Sequence, residues 1–83
     1  MINRCVPFNE LDKAVNEMAT YYSSAPTKAI GAIKLAFNQS YDSNLNEMLE
    51  LEAKNQEILS KSKDAAEGIS SFLQKRTPDY KGI

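Results

Sequence analysis

Histidine and tryptophan are absent from this 83-residue chain, and cysteine occurs once, at Cys5. Each shortage removes a class of chemistry. Without histidine there is no imidazole to serve as a general base near neutral pH, and no Ser-His-Asp set can be assembled. One cysteine among scattered carboxylates offers no structural zinc site. It also forbids an internal disulfide, which makes a reducing, cytoplasmic setting the natural expectation. Three scattered glycines leave no glycine-rich phosphate loop. No apolar run approaches the ~20 residues of a membrane span. The opening MINRCVPFNE lacks the apolar stretch of a signal peptide. A net charge of −1 argues against nucleic acid as a partner.

A chain this short makes one domain at most and hides only about 60% of its unfolded surface. Small domains lean on disulfides, metals or partners, and the first two supports are missing here. A partner chain is therefore expected. The charge is unevenly spread: Asp42, Glu47, Glu50, Glu52 and Glu57 face one base, Lys54, whereas Lys61, Lys63, Lys75, Arg76 and Lys81 dominate the end.

What is present reads as helices. Val6-Pro7 closes an extended lead-in, because a residue before proline is pushed out of the helical region. Asn9, with Asp12 three residues on, is the expected cap of a first helix carrying Leu11, Val15, Met18 and Tyr22 on one face. Ser23-Ser24-Ala25 breaks it, and Pro26 suits the first turn of a second helix. Ile30, Ile33 and Phe37 carry the second stripe, with Gly31 inside it as a candidate close crossing. Asn44 and Glu47 fit a capping box for a third helix reaching about Ser60, with Leu45, Met48, Leu49, Leu51, Ile58 and Leu59 apolar. Asp64 and Glu67 have the same spacing and are expected to cap a fourth helix ending near Arg76, which buries Ala65, Ile69, Phe72 and Leu73. The fold class is all-α, with about four helices.

Isolated candidates for chemistry have plainer readings. Salt-bridging or capping accounts for Glu52 and Glu67. Cys5 beside Arg4 has the makings of a lowered-pKa thiol, but reads more simply as a lead-in residue. The tyrosines Tyr21, Tyr22, Tyr41 and Tyr80 sit near element ends as amphipathic packing residues. Read from the residues alone, the chain is a small helical interaction module.

Its longer strings resemble a known family. Pro26-Thr27-Lys28-Ala29-Ile30-Gly31-Ala32-Ile33-Lys34 is similar to the P-x-x-A-x-x-x-x-K helix near the end of the enoyl-CoA hydratase/isomerase (crotonase) family. Leu49-Glu50-Leu51-Glu52 follows. Residues 62–82, SKDAAEGISSFLQKRTPDYKG, then match the closing pattern S-x-D-x-x-E-G-[VI]-x-[AS]-F-[LV]-x-K-R-x-P-x-[FY]-x-G. Ile2-Asn3-Arg4-Cys5-Val6-Pro7 is similar to the G-L-V-N-x-V-V-P stretch that precedes these helices. Order and spacing both hold across essentially all 83 residues.

The resemblance implies that residues 1–83 are the C-terminal helical domain of such an enzyme, which covers the active site and builds oligomers. The α/β spiral domain is absent from it. That missing part would carry the backbone amides that stabilise a thioester enolate, and the proton-moving acids, so the segment alone is expected to be inactive and to hold no cofactor. A coenzyme A thioester is implied as the whole enzyme's substrate, in fatty-acid-type acyl-CoA metabolism. By resemblance, Phe72 matches a phenylalanine lining the acyl pocket, Lys75 a lysine approaching a coenzyme A phosphate, and Arg76 accompanies it. Gly68 matches a glycine that permits close helix packing. The same tail occurs with hydration, isomerisation and dehalogenation, which leaves the reaction open. Self-association as a dimer or trimer is expected through the apolar faces. A stand-alone, self-associating helical module without catalysis is the competing reading.

Overall fold

The computed structural model describes residues 3–83; Met1 and Ile2, the latter part of the lead-in string, lie outside them. Four α-helices follow in order: α1 (Leu11–Ser23), α2 (Thr27–Gln39), α3 (Leu45–Ser60) and α4 (Lys63–Leu73). Short 3-10 turns span Phe8–Glu10 and Ser40–Asp42, and there is no strand among the described residues. The all-α expectation holds.

Local chemistry explains where the helices begin. At α3, the Asn44 side chain accepts a hydrogen bond from the Glu47 amide (3.0 Å), while Glu47 accepts one from the Asn44 amide (2.8 Å). This is the reciprocal box expected from the spacing. Pro26 stands one place before α2 rather than inside its first turn, and its carbonyl accepts from Ala29 and Ile30.

Two caps differ from expectation. Asn9 does not cap α1, because the Pro7 carbonyl already accepts from Glu10 at 2.9 Å and opens a 3-10 turn there. Inside that turn Asn9 lacks the extended backbone a capping residue needs. Nor do Asp64 and Glu67 cap α4. Ser62 does so, two residues earlier, through a 3.1 Å bond from the Ala65 amide to its hydroxyl. The helix then stops at Leu73, short of Arg76. Gly31 is not a crossing point either, since a Cβ there would meet nothing within 4 Å.

Helices α2 and α3 pack along a seam where Ala32 and Ala36 meet Met48, Asn55 and Leu59, all half-buried. An open groove flanks it on each side, one bordered by Ile33 and Phe37 and the other by Leu35 and Ile58. No common core joins the four helices. Among the described residues Ala14 is the only buried apolar side chain. The molecule measures 43 × 40 × 18 Å, barely more than one helix layer thick. Its radius of gyration is 15.9 Å, against about 12 Å for a compact domain of this length. The accessible surface is 7091 Å², against about 5,000 Å² for a compact monomer of this mass.

Of the face of α4 expected to be buried, Ala65 is half-buried and the three large residues are uncovered. Phe72 is 82% exposed and Leu73 and Ile69 are nearly as open. The buried positions are instead Asp64 and Ser71, on the small-residue side of the helix.

Candidate functional site: the C-terminal clasp

That small-residue side is covered by the chain's own end. Asp64, Glu67, Gly68 and Ser71 share one side of α4, because helical residues three and four apart are neighbours. The segment from Thr77 to Ile83 runs back along them. Gly68 provides the room: a Cβ there would lie 3.2 Å from the Tyr80 hydroxyl. Ser71 turns its hydroxyl inward to the Gly68 carbonyl, donating at 3.0 Å, so no polar atom is stranded.

Asp64 is the first anchor. Its carboxylate is only 6% exposed as a residue, and each oxygen takes one backbone amide. Lys81 donates to Oδ1 at 2.8 Å and Gly82 to Oδ2 at 2.7 Å. The Asp64 amide in turn donates to the Ile83 carbonyl at 2.9 Å. A buried carboxylate needs such full service, since an unpaired one is strongly disfavoured. Gly82 makes the turn possible with φ +75°, and any Cβ there would run into the Thr27 hydroxyl at the start of α2. The tail therefore touches α2 as well as α4.

Glu67 is the second anchor. It takes the Arg76 guanidinium through both oxygens, Nη1 at 2.5 Å and Nη2 at 2.9 Å, and accepts the Asp79 amide at 2.9 Å. The Arg76 bonds, with the Asp79 amide behind them, hold the Glu67 carboxyl at about 2, well below its ordinary 4.5. Arg76 Nε also donates to Gln74 at 2.8 Å, and Lys81 Nζ pairs with Asp79 at 2.7 Å.

The bend between helix and tail is a Schellman motif. The Lys75 amide donates to the Phe72 carbonyl (3.2 Å) and the Arg76 amide to the Ser71 carbonyl (3.0 Å). Lys75 itself takes φ +53°, the one non-glycine residue in the left-handed region among those described. Glycine usually fills this place, because a side chain there is disfavoured by roughly 1–2 kcal/mol.

The three residues singled out by resemblance thus end up at one end of α4, in different states. Phe72 lies on the open apolar face with Ile69 and Leu73. Arg76 is bound into the clasp by Glu67. Lys75 is exposed, with no side-chain hydrogen bond or ion pair among the described residues. Glu52 is elsewhere, on the groove beside α2 and α3. The anchoring roles of Asp64 and Glu67 are not visible in their spacing, which imitates a cap. The available signal was that the residues sharing that side with the two acids are small (Gly68, Ser71), which leaves a surface shaped for close cover.

The sequence model of the enoyl-CoA hydratase/isomerase family matches residues 1–83. The chain belongs to that family. It is 34% identical over 82 residues to the 1,2-epoxyphenylacetyl-CoA isomerase of Escherichia coli, covering 99% of this chain and 31% of that protein. It is 33% identical to a probable enoyl-CoA hydratase of Rhodobacter capsulatus, with 99% and 32% covered. The crystal structure of the Geobacillus kaustophilus enoyl-CoA hydratase superposes with a TM-score of 0.90 at 38% identity, over 99% of this chain and 31% of that one. The chain thus spans about a third of the length of the relatives it matches, as a helical segment of the crotonase fold. The isomerase and hydratase names among these relatives leave the reaction of this chain open. No helix among the described residues is long and apolar enough to cross a membrane.

Proposed function

We propose that this chain is the C-terminal helical domain of a crotonase-type hydratase or isomerase acting on acyl-CoA thioesters. In that setting it helps to build the trimer and covers the active-site region. Phe72 borders the acyl chain, while Lys75 and Arg76 stand at the phosphate end of coenzyme A. The chemistry of enolate stabilisation lies on other parts of the enzyme. The role of this chain is to bind, cover and assemble.

The observation that carries the reading is the open surface. The 7091 Å² of accessible area exceeds that of a compact monomer of this mass by about 2,000 Å². Large apolar side chains lie on both sides of the α2–α3 layer and along α4. Exposed apolar surface on this scale marks a site of contact with another body, and the family match supports reading that body as the rest of a crotonase-type enzyme.

A chimera tests this. The matching segment of the Geobacillus kaustophilus enoyl-CoA hydratase is replaced by this chain, and hydration of crotonyl-CoA is followed by loss of the enoyl thioester absorbance. The chimera is expected to turn over, and the 83-residue chain alone is not. A chimera that assembles like its parent yet hydrates nothing overturns the proposal.

A further inference from the structure

Lys75 occupies a conformation that a lysine does not choose, and its two neighbours are tied together across it. Gln74 and Arg76 are joined by the Nε bond at 2.8 Å. The Arg76 amide is fixed to Ser71, and its guanidinium is held at both nitrogens by Glu67. Glu67 is fixed in turn by the Asp79 amide. Backbone in a disfavoured region persists only where its surroundings over-determine it, and such places cluster at active sites and ligand clamps. The guanidinium, doubly engaged, is a poor candidate to leave its carboxylate for an anion. The Lys75 ammonium has no competing partner among the described residues.

We infer that Glu67 and Arg76 are positioning residues for Lys75: the ion pair locks the left-handed turn that presents the lysine ammonium to a phosphate of the coenzyme A thioester. Arg76 acts through Lys75 and does not itself touch the phosphate. This inference rests on the acyl-CoA reading above. It divides two adjacent basic residues into one that binds and one that aims.

The test uses the hydratase chimera with two substrates, crotonyl-CoA and crotonyl-pantetheine, which shares the thioester but has no nucleotide phosphates. Lys75→Ala is expected to raise KM for crotonyl-CoA about tenfold, the loss of one charged hydrogen bond, with kcat and the pantetheine reaction unchanged. Glu67→Gln and Arg76→Glu are each expected to reproduce that selective KM rise. The double variant Glu67→Arg with Arg76→Glu, which rebuilds the pair in reverse, is expected to recover most of it. A merely structural role for the pair would lower both reactions alike. If Arg76 bound the phosphate directly, the reversed pair would recover nothing, and that result overturns the inference. So does a selective Lys75→Ala effect beside a silent Glu67→Gln. An unmodified chimera without turnover counts against the family reading itself, which keeps the two failures apart.

Discussion

Lys75 shows how a single backbone angle becomes measurable. At φ +53° it holds the place glycine normally takes after a helix. Lys75→Gly removes the steric conflict but adds freedom to the unfolded chain, worth about 0.5–1 kcal/mol in the opposite direction. The relief of roughly 1–2 kcal/mol is the larger of the two, so a small net gain is expected, visible as a higher urea midpoint. Lys75→Ala keeps the conflict and should leave the midpoint where it was, which separates backbone relief from loss of charge. Asp64 answers a different question. It was expected to act as a helix cap, whose loss removes about 1 kcal/mol. Its real partners are two tail amides in a buried setting, and charged hydrogen bonds contribute about 1.5–3 kcal/mol each. Asp64→Ala should therefore destabilise by about 3 kcal/mol and open the bond after Lys81 to trypsin, while the α4 start, capped by Ser62, stays helical. A change near 1 kcal/mol with the tail still protected would return Asp64 to a capping role.

Helix α4 and the tail that clasps it respond to acid as a unit through Glu67. Its carboxyl sits at about 2 in the folded chain and near 4.5 when free. A group whose value is lowered by folding stabilises the fold above its free value and loses that contribution as pH falls toward the folded one. The clasp is thus expected to be fully held above pH 4.5 and to loosen between there and about 2. The Asp79 amide signal, followed by NMR through an acid titration, should move only in the lower part of that window, and Glu67→Gln should abolish the movement. A midpoint at 4.5 or above would show the Arg76 pair to be absent in solution. The same element marks the boundary of what sequence can disclose. The four helices and the Asn44–Glu47 box were legible because they depend on residues three or four apart. The Asp64–Glu67 spacing was just as regular, yet its meaning is set by Lys81 and Gly82, 17 and 18 residues away. Local spacing cannot tell an acid that caps from an acid that waits for a tail. Periodicity also located the apolar stripe of α4 correctly while misplacing what lies over it, because covering depends on chains that the stripe itself does not name. The coenzyme A roles of Phe72, Lys75 and Arg76 came from likeness alone, and only the fold separates their states.

The whole molecule is a layer in want of two covers. Its 18 Å thickness leaves room for one helix layer and its side chains. The seam between α2 and α3 is filled largely by alanines on one side, so the larger residues of both helices spill outward to the two grooves. Ile33 and Phe37 are open on one, Leu35 and Ile58 on the other, and Ile69, Phe72 and Leu73 continue along α4. Each such side chain contributes about 1.5–3 kcal/mol when fully buried. The excess surface of about 2,000 Å² on one chain is already at the scale that permanent interfaces bury across both partners. Charge gives little resistance, since the net value is −1 and the acids of α3 can lie against the bases near the end of a second copy. The isolated chain is therefore expected to associate at micromolar concentration, as a dimer or trimer. Leu35→Glu and Phe72→Glu, which place a charge on the grooved layer and on α4 respectively, should weaken association without touching the clasp, whose Glu67–Arg76 and Asp64 bonds involve neither residue. Light scattering with bound hydrophobic dye measures both consequences. A dye-free monomer of 9.3 kDa would mean that the helices close on one another in solution, and the open layer described here would not be the form the free chain takes.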